Sequence, residues 1–242
     1  MSIKKLKLQN IWILFLSFIK NNIQVIFKCL LLNLIFFALI IAFLIYNSPY
    51  DYQQGIMVHM IYLHLPTAIL STLLYCIIAI LALISLIYKN KIAYLISVSL
   101  CYIGSLYTFI AIFTGALWGR PIWGVFWQWE PRLISMLILF LFYISQILIL
   151  NSVKNPLFVQ KQFSILAIIG FINVPIIKFS VNFLSSIHQS SSIFNKSGIK
   201  IDYLILKPLI FSFIFFVIYL LLIFILQFFI YHKKFIFSKI NF

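Results

Sequence analysis

Charge is what this chain lacks. Asp, Glu, Lys and Arg make up only 9% of it, and 3 of its 242 residues are acidic: Asp51, Glu130 and Asp202. A soluble domain carries about a quarter charged residues. With no long polar segment, the chain has no room for a separate ATPase, nuclease or redox domain. Cysteine is scarce as well. Cys29, Cys76 and Cys101 each lie in an apolar run, their number is odd, and no Cys-x-x-Cys occurs. This argues against a dithiol exchanger and for buried, inert thiols. No small-residue cleavage site follows the short apolar run at 11–19, so that run reads as an interfacial segment and not a signal peptide. No internal repeat is present.

What is there is apolar. The chain is 64% hydrophobic, with a mean hydropathy of +1.15. A bilayer core of about 30 Å takes roughly 20 apolar residues per helical span. The hydropathy pattern predicts an all-α integral membrane protein, a single domain over 1–242. It is a bundle of about six transmembrane helices at 29–46, 64–88, 92–117, 133–150, 163–179 and 208–231. Pro66 is placed in the first turn of the second span, where its missing N–H is no loss. Pro175 is expected to kink the fifth, beside Asn173, which should face protein.

The formal charge of +15 would raise nucleic acid as a partner in a soluble protein. Here the basic residues punctuate apolar runs, so topology explains them and no nucleic acid is expected. One set of loops carries 12 of the 18 basic residues and the other 6. By the positive-inside rule both termini are cytoplasmic. Two crossings separate His64 from the loop after span three, and two more separate that loop from His188. An even number returns the chain to the same face, so all three are expected on the outer side.

The loop after span three is the densest chemistry in the chain. Residues 118–133 hold four of the 5 tryptophans, Trp118, Trp123, Trp127 and Trp129, together with Phe126, Glu130 and both arginines, Arg120 and Arg132. An interfacial aromatic belt scatters its rings over many helix ends. Here they share one segment with two prolines and two glycines, as a platform would. Two imidazoles beside aromatic rings and cations fit a flat, apolar, anionic ligand such as haem: iron takes axial nitrogens, the macrocycle stacks, and propionates want cations. Zinc fits less well, because the outer loops offer no cysteine and few carboxylates. The absence of Cys-x-x-Cys-His means that haem is not attached covalently to this chain. A lone interfacial histidine is otherwise an amphipathic surface residue. His59 lies in the same region and competes with His64, whereas His232 falls among lysines at a solvated end.

The stretch Trp123-Gly124-Val125-Phe126-Trp127-Gln128-Trp129-Glu130-Pro131-Arg132-Leu133 resembles the tryptophan-rich signature of the haem-handling proteins of cytochrome c biogenesis. Asp51-Tyr52-Gln53-Gln54-Gly55 leading to His64-Leu65-Pro66, Asn173-Val174-Pro175 leading to His188-Gln189, Thr114-Gly115 and Trp118-Gly119 are similar to one branch, the haem exporter protein C family of system I cytochrome c maturation. The resemblance covers most of the chain. It implies a protein that is no enzyme in the ordinary sense. It would present haem b, held non-covalently and transiently, at the outer face of a bacterial inner membrane or a mitochondrial inner membrane. His64 and His188 would be the axial ligands of the iron. Trp118, Trp123, Phe126, Trp127, Trp129 and Glu130 would hold haem and dock a membrane-anchored haem chaperone. Arg120, Arg132 and His59 would make propionate or polar contacts. ABC-type ATPase and permease subunits and a small membrane subunit would be the further partners. Phe126 stands for a Trp of the usual pattern, Glu130 for Asp, His59 for Arg, Lys178 for a common His, and Phe183-Leu184 for a Trp pair. A membrane permease moving haem across the bilayer is the alternative, and a ligand-free scaffold a third reading. The spans are almost wholly apolar, whereas a permease usually carries polar groups near mid-membrane.

Overall fold

The computed structural model describes residues 24, 25, 27–29, 31–52, 54–152, 155–183 and 201–240. The described residues form helices α1 (Phe27–Tyr46), α2 (Ile61–Ile87), α3 (Lys91–Trp123), α4 (Pro131–Ser152), α5 (Pro156–Phe171), α6 (Asn173–Phe183) and α7 (Tyr203–Ile240), with a 3-10 turn at Ile56–Met60 leading into α2. Among them no strand occurs beyond one isolated bridge between Asp51 and Gly55. Six stretches are long and apolar enough to cross a bilayer: Phe27–Tyr46, Ile56–Ile87, Lys91–Trp123, Pro131–Asn151, Pro156–Ser180 and Tyr203–His232. The protein is an all-α, multi-pass membrane protein.

Helix starts follow from local chemistry. The Asn90 side chain accepts the N–H groups of Ile92 and Ala93 at 3.0 and 3.1 Å. Asn155 does the same for Leu157 and Phe158, with Pro156 in the first helical position. Each caps two amides that the helix itself leaves orphaned.

Two prolines act at a distance of four residues. α2 begins at Ile61, so Pro66 sits inside the helix and not in its first turn. Its missing N–H leaves the Tyr62 carbonyl without its helical donor. The Ser212 hydroxyl of α7 donates to that carbonyl. The proline thus becomes a point of attachment between helices. Pro175 likewise deprives the Phe171 carbonyl, and the helix ends there. The interruption falls at Ile172, three residues before Pro175, and the Ile172 N–H turns back to the Ile169 carbonyl at 3.2 Å. Asn173, buried, then donates its side-chain N–H to the Ser135 carbonyl of α4 at 2.8 Å, tying α6 to the start of α4.

α2 and α3 are the central pair, with α4, α5 and α7 packed around them. The core is rich in tyrosine. Tyr75, Tyr107 and Tyr143 are fully buried. Their hydroxyls donate to the carbonyls of Leu166 at 3.4 Å, Phe216 at 2.5 Å and Ser71 at 2.8 Å, each on another helix. In lipid, where helix association draws little from apolar burial, such bonds and close packing at small residues hold a bundle together. Gly104 and Gly170 supply the close approach: a Cβ on either would run into the Tyr143 or the Tyr75 side chain. Cys101 is buried beside Gln146, 3.4 Å from its Oε1. Cys29, by contrast, is exposed, because α1 stands at the periphery with Leu32, Ile35, Leu39 and Phe43 turned outward to where lipid would lie.

α3 is longer than a bilayer needs. Its 33 residues span about 50 Å at 1.5 Å each, against a hydrocarbon core of about 30 Å. Its last turns carry Trp118, Arg120 and Trp123.

Candidate functional site

The site begins with a helix contact. Ala111, Gly115 and Trp118 follow one another at helical spacing along α3, and Ala111-x-x-x-Gly115 is a small-residue pattern that lets two backbones approach. α2 fills the approach with His64. A Cβ on Gly115 would lie 2.8 Å from His64 Cε1. His64 Nδ1–H donates to the Ala111 carbonyl at 2.9 Å. Thr114 Oγ1 stands 3.5 Å from the same nitrogen while donating to the Ile110 carbonyl at 2.6 Å. A carbonyl only accepts, so Nδ1 is the donor in this contact. Histidines that bind metals are oriented in this way.

Trp118 closes the corner. Its ring meets that of His64 at 5.7 Å and 75°, edge to face. Trp118 Nε1–H donates to Gln54 Oε1 at 2.9 Å. Gln54 is itself held: its backbone N–H reaches Asp51 Oδ1 at 2.8 Å, and Asp51 and Gly55 exchange backbone bonds of 2.9 and 3.3 Å. Gly55 has φ +57° and ψ −138°, a conformation that costs glycine nothing and a residue with a Cβ a good deal. Three segments thus converge on one imidazole.

The aromatic stretch is divided by its secondary structure. Trp118–Trp123 belongs to α3, where the sequence reading has loop from residue 118. Pro121 sits inside the helix, and α3 stops only at Gly124, whose φ of +77° and bond to the Arg120 carbonyl at 2.8 Å make a left-handed cap. Gly119 is buried, and a Cβ there would meet the Trp123 ring at 2.6 Å. Trp123 therefore folds back along its own helix. Beyond the cap, Trp127 and Trp129 pack edge to face at 5.8 Å and 79°. Trp127 Nε1 is buried without a hydrogen-bond partner among the described residues, while Trp129 is 77% exposed. The Arg120 guanidinium lies 4.6 Å above the Phe126 ring, a cation–π contact that keeps its charge at the rim. Glu130 is buried, and its charge acts on Arg132 two residues on.

The structure brings together His64 and Trp118 and, around Gly124, Arg120 with Phe126 and Trp127 with Trp129. His59 takes its ring contacts from Tyr50 and Tyr62, each at 5.8 Å. Its Nε2 is buried without a hydrogen-bond partner among the described residues. His188 lies outside the described residues. Ala111 and Gly115, neighbours of His64, and Gln54, the partner of Trp118, are residues to which the sequence reading gives no role. The small-x-x-x-small spacing ending in Trp118 signals two of them. Gln54 had no such signal, because its partner is distant in the chain. Among the described residues no three or more His, Cys, Asp or Glu gather to hold a metal ion.

Fold and site together define a polytopic helical membrane protein with one histidine set into a helix contact beneath an indole-rich shelf. The family model described as heme exporter protein C matches residues 13–236, and the chain belongs to that family. It is 37% identical over 176 residues to the heme exporter protein C of Bradyrhizobium diazoefficiens, covering 72% of this chain and 67% of the relative. To a ccmC-like mitochondrial protein of cytochrome c biosynthesis in Marchantia polymorpha it is 41% identical over 181 residues, 74% of this chain and 76% of that one. To heme exporter protein C of Escherichia coli it is 39% identical over 145 residues, 60% of this chain and 59% of the relative.

Proposed function

We propose that this protein handles haem for cytochrome c maturation: it binds haem b as cargo at the outer face of the membrane and presents it to a membrane-anchored haem chaperone. The names of its relatives support haem handling and cytochrome c biosynthesis. The observation that carries the residue-level reading is the His64 Nδ1–H bond to the Ala111 carbonyl. With Nδ1 donating there, Nε2 is the nitrogen that would be offered to iron, and the carbonyl would raise its basicity. The surroundings fit a porphyrin: the ring sits against Gly115, where a larger residue would displace it; Trp127 holds a buried N–H for an acceptor; and Phe126 offers an exposed aromatic face.

In this mechanism His64 and His188 would supply the nitrogens that hold the haem iron. Trp118 and Trp123 wall the site on the side of α3. Arg120, Arg132 and His59 answer the propionates. Trp127, Trp129 and Glu130 form the shelf on which the chaperone docks, and the covalent bond to haem forms on the chaperone, so this chain is not itself an enzyme. ABC-type ATPase and permease subunits and a small membrane subunit complete the machine. The membrane is a bacterial or mitochondrial inner membrane, with both termini on the cytoplasmic or matrix side.

The test is an absorption spectrum of the detergent-purified protein, oxidised and reduced, with His64→Ala and His188→Ala alongside. The expected result is the split, low-spin bands of a non-covalent haem b in the wild type and their loss in both variants. Full haem occupancy in both variants would overturn the ligand assignment. Labelling of cysteines placed at 64 and 188 from opposite compartments would overturn the shared face.

A further inference from the structure

We infer that Gln54 is a positioning residue for the haem site, acting through the indole of Trp118, and that the turn closed by Asp51 and Gly55 is the arm that sets the plane of His64. The inference rests on the reading above, that His64 binds haem. Within the membrane helices His64 lies with Nδ1 2.9 Å from the Ala111 carbonyl, 3.5 Å from Thr114 Oγ1, and against the bare backbone of Gly115. Trp118 adds a ring contact, edge-on at 5.7 Å. An indole near a membrane surface has alternative rotamers and would satisfy its N–H with water. Gln54 Oε1, at 2.9 Å, selects one of them.

Gln54 is well suited to this because its own backbone is not free to follow the side chain. Asp51 Oδ1 holds its N–H at 2.8 Å, and the paired bonds between Asp51 and Gly55 close the turn. Gln54 is 64 residues from Trp118 in the chain, so the arm ties the loop before α2 to the last turns of α3. It joins the helix that carries the ligand to the helix that carries the shelf. Loss of an outer partner of a metal-binding histidine commonly costs 10–100-fold in affinity.

The experiment titrates haemin into the full chain, purified without haem in detergent, and follows affinity, the reduction midpoint and thermal melting. Gln54→Leu removes the acceptor; Gln54→Glu keeps one; Trp118→Phe keeps a ring and removes the N–H. We expect Gln54→Leu to weaken haemin binding roughly 10-fold and to shift the midpoint, with melting of the haem-free protein unchanged. Gln54→Glu should restore both. Trp118→Phe should reproduce the loss, and Gln54→Leu should add nothing to it in the double variant, since both remove one bond. Wild-type affinity in Gln54→Leu, equal losses in Gln54→Leu and Gln54→Glu, or additive losses in the double variant each overturn the inference. Should Gln54→Leu not accumulate, Trp118→Phe decides: wild-type affinity and midpoint there overturn it. His64→Ala separates the two levels. If that variant keeps its haemin, the ligand reading fails; if it loses haemin while Gln54→Leu does not, only the positioning role fails.

Discussion

The tyrosines of the membrane core and the tryptophans of the shelf are both aromatic residues with one polar atom, yet they are used in opposite ways. Tyr75, Tyr107 and Tyr143 are fully buried, and each spends its hydroxyl on the backbone of another helix. Their glycine neighbours, Gly104 and Gly170, leave no space to spare. At the shelf, Trp129 is 77% exposed and Phe126 48%, and the Trp118 indole N–H bonds to a loop glutamine. In hydrocarbon an unpaired O–H has no water to turn to, so a core tyrosine must find a partner or not be there. Above the lipid that penalty disappears, and an aromatic face can be left open. The difference separates the residues that hold the bundle from those available to a ligand.

The comparison can be broken from either side. Gly104→Leu should have the largest effect, because its side chain takes the place of the Tyr143 ring. A loss of about 3 kcal/mol is expected, read as lower accumulation in membranes and a lower melting temperature in detergent. Normal melting would show that the core is not packed through this glycine. His64→Ala should cost about 1 kcal/mol of stability while reducing haemin affinity more than about 10-fold; titration and melting of the same preparation measure both. Tyr107→Phe removes one interhelical bond and should cost about 0.6 kcal/mol, the average for such bonds in a membrane bundle, with haemin affinity unaltered. A change in affinity there would mean that core and shelf are coupled. Trp129→Ala should change stability by no more than about 0.5 kcal/mol and leave haem retention near the wild type, while slowing transfer to the chaperone in a reconstituted assay. Loss of haem retention in that variant would move Trp129 from the docking surface into the binding wall.

Part of the arrangement around His64 and the tryptophans is legible in the sequence, for unequal reasons. Trp127 and Trp129 stood out because four indoles in one short stretch are improbable without a purpose. His64 stood out less by type than by parity, since counting crossings put it at the same end as the tryptophans, where the His64–Trp118 contact now lies. Trp118 and Trp123 were read as loop but belong to α3, because glycine and proline at 119–121 resemble a break while the helix runs on to a left-handed cap at Gly124. Pro66 was read as a helix start, and in the fold its absent N–H instead opens the Tyr62 carbonyl to Ser212.

Hydropathy and spacing by themselves determined that this is a multi-pass helical membrane protein with an aromatic segment at one end. Apolar runs of about 20 residues have no other stable state in a bilayer, where every backbone group must be satisfied within its own helix. The tertiary structure alone decided which nitrogen of His64 faces the Ala111 carbonyl, and that a glutamine before α2 reaches a tryptophan at the end of α3. Those bonds join residues 47 and 64 positions apart in the chain. They come from the packing of whole helices, which no local pattern encodes.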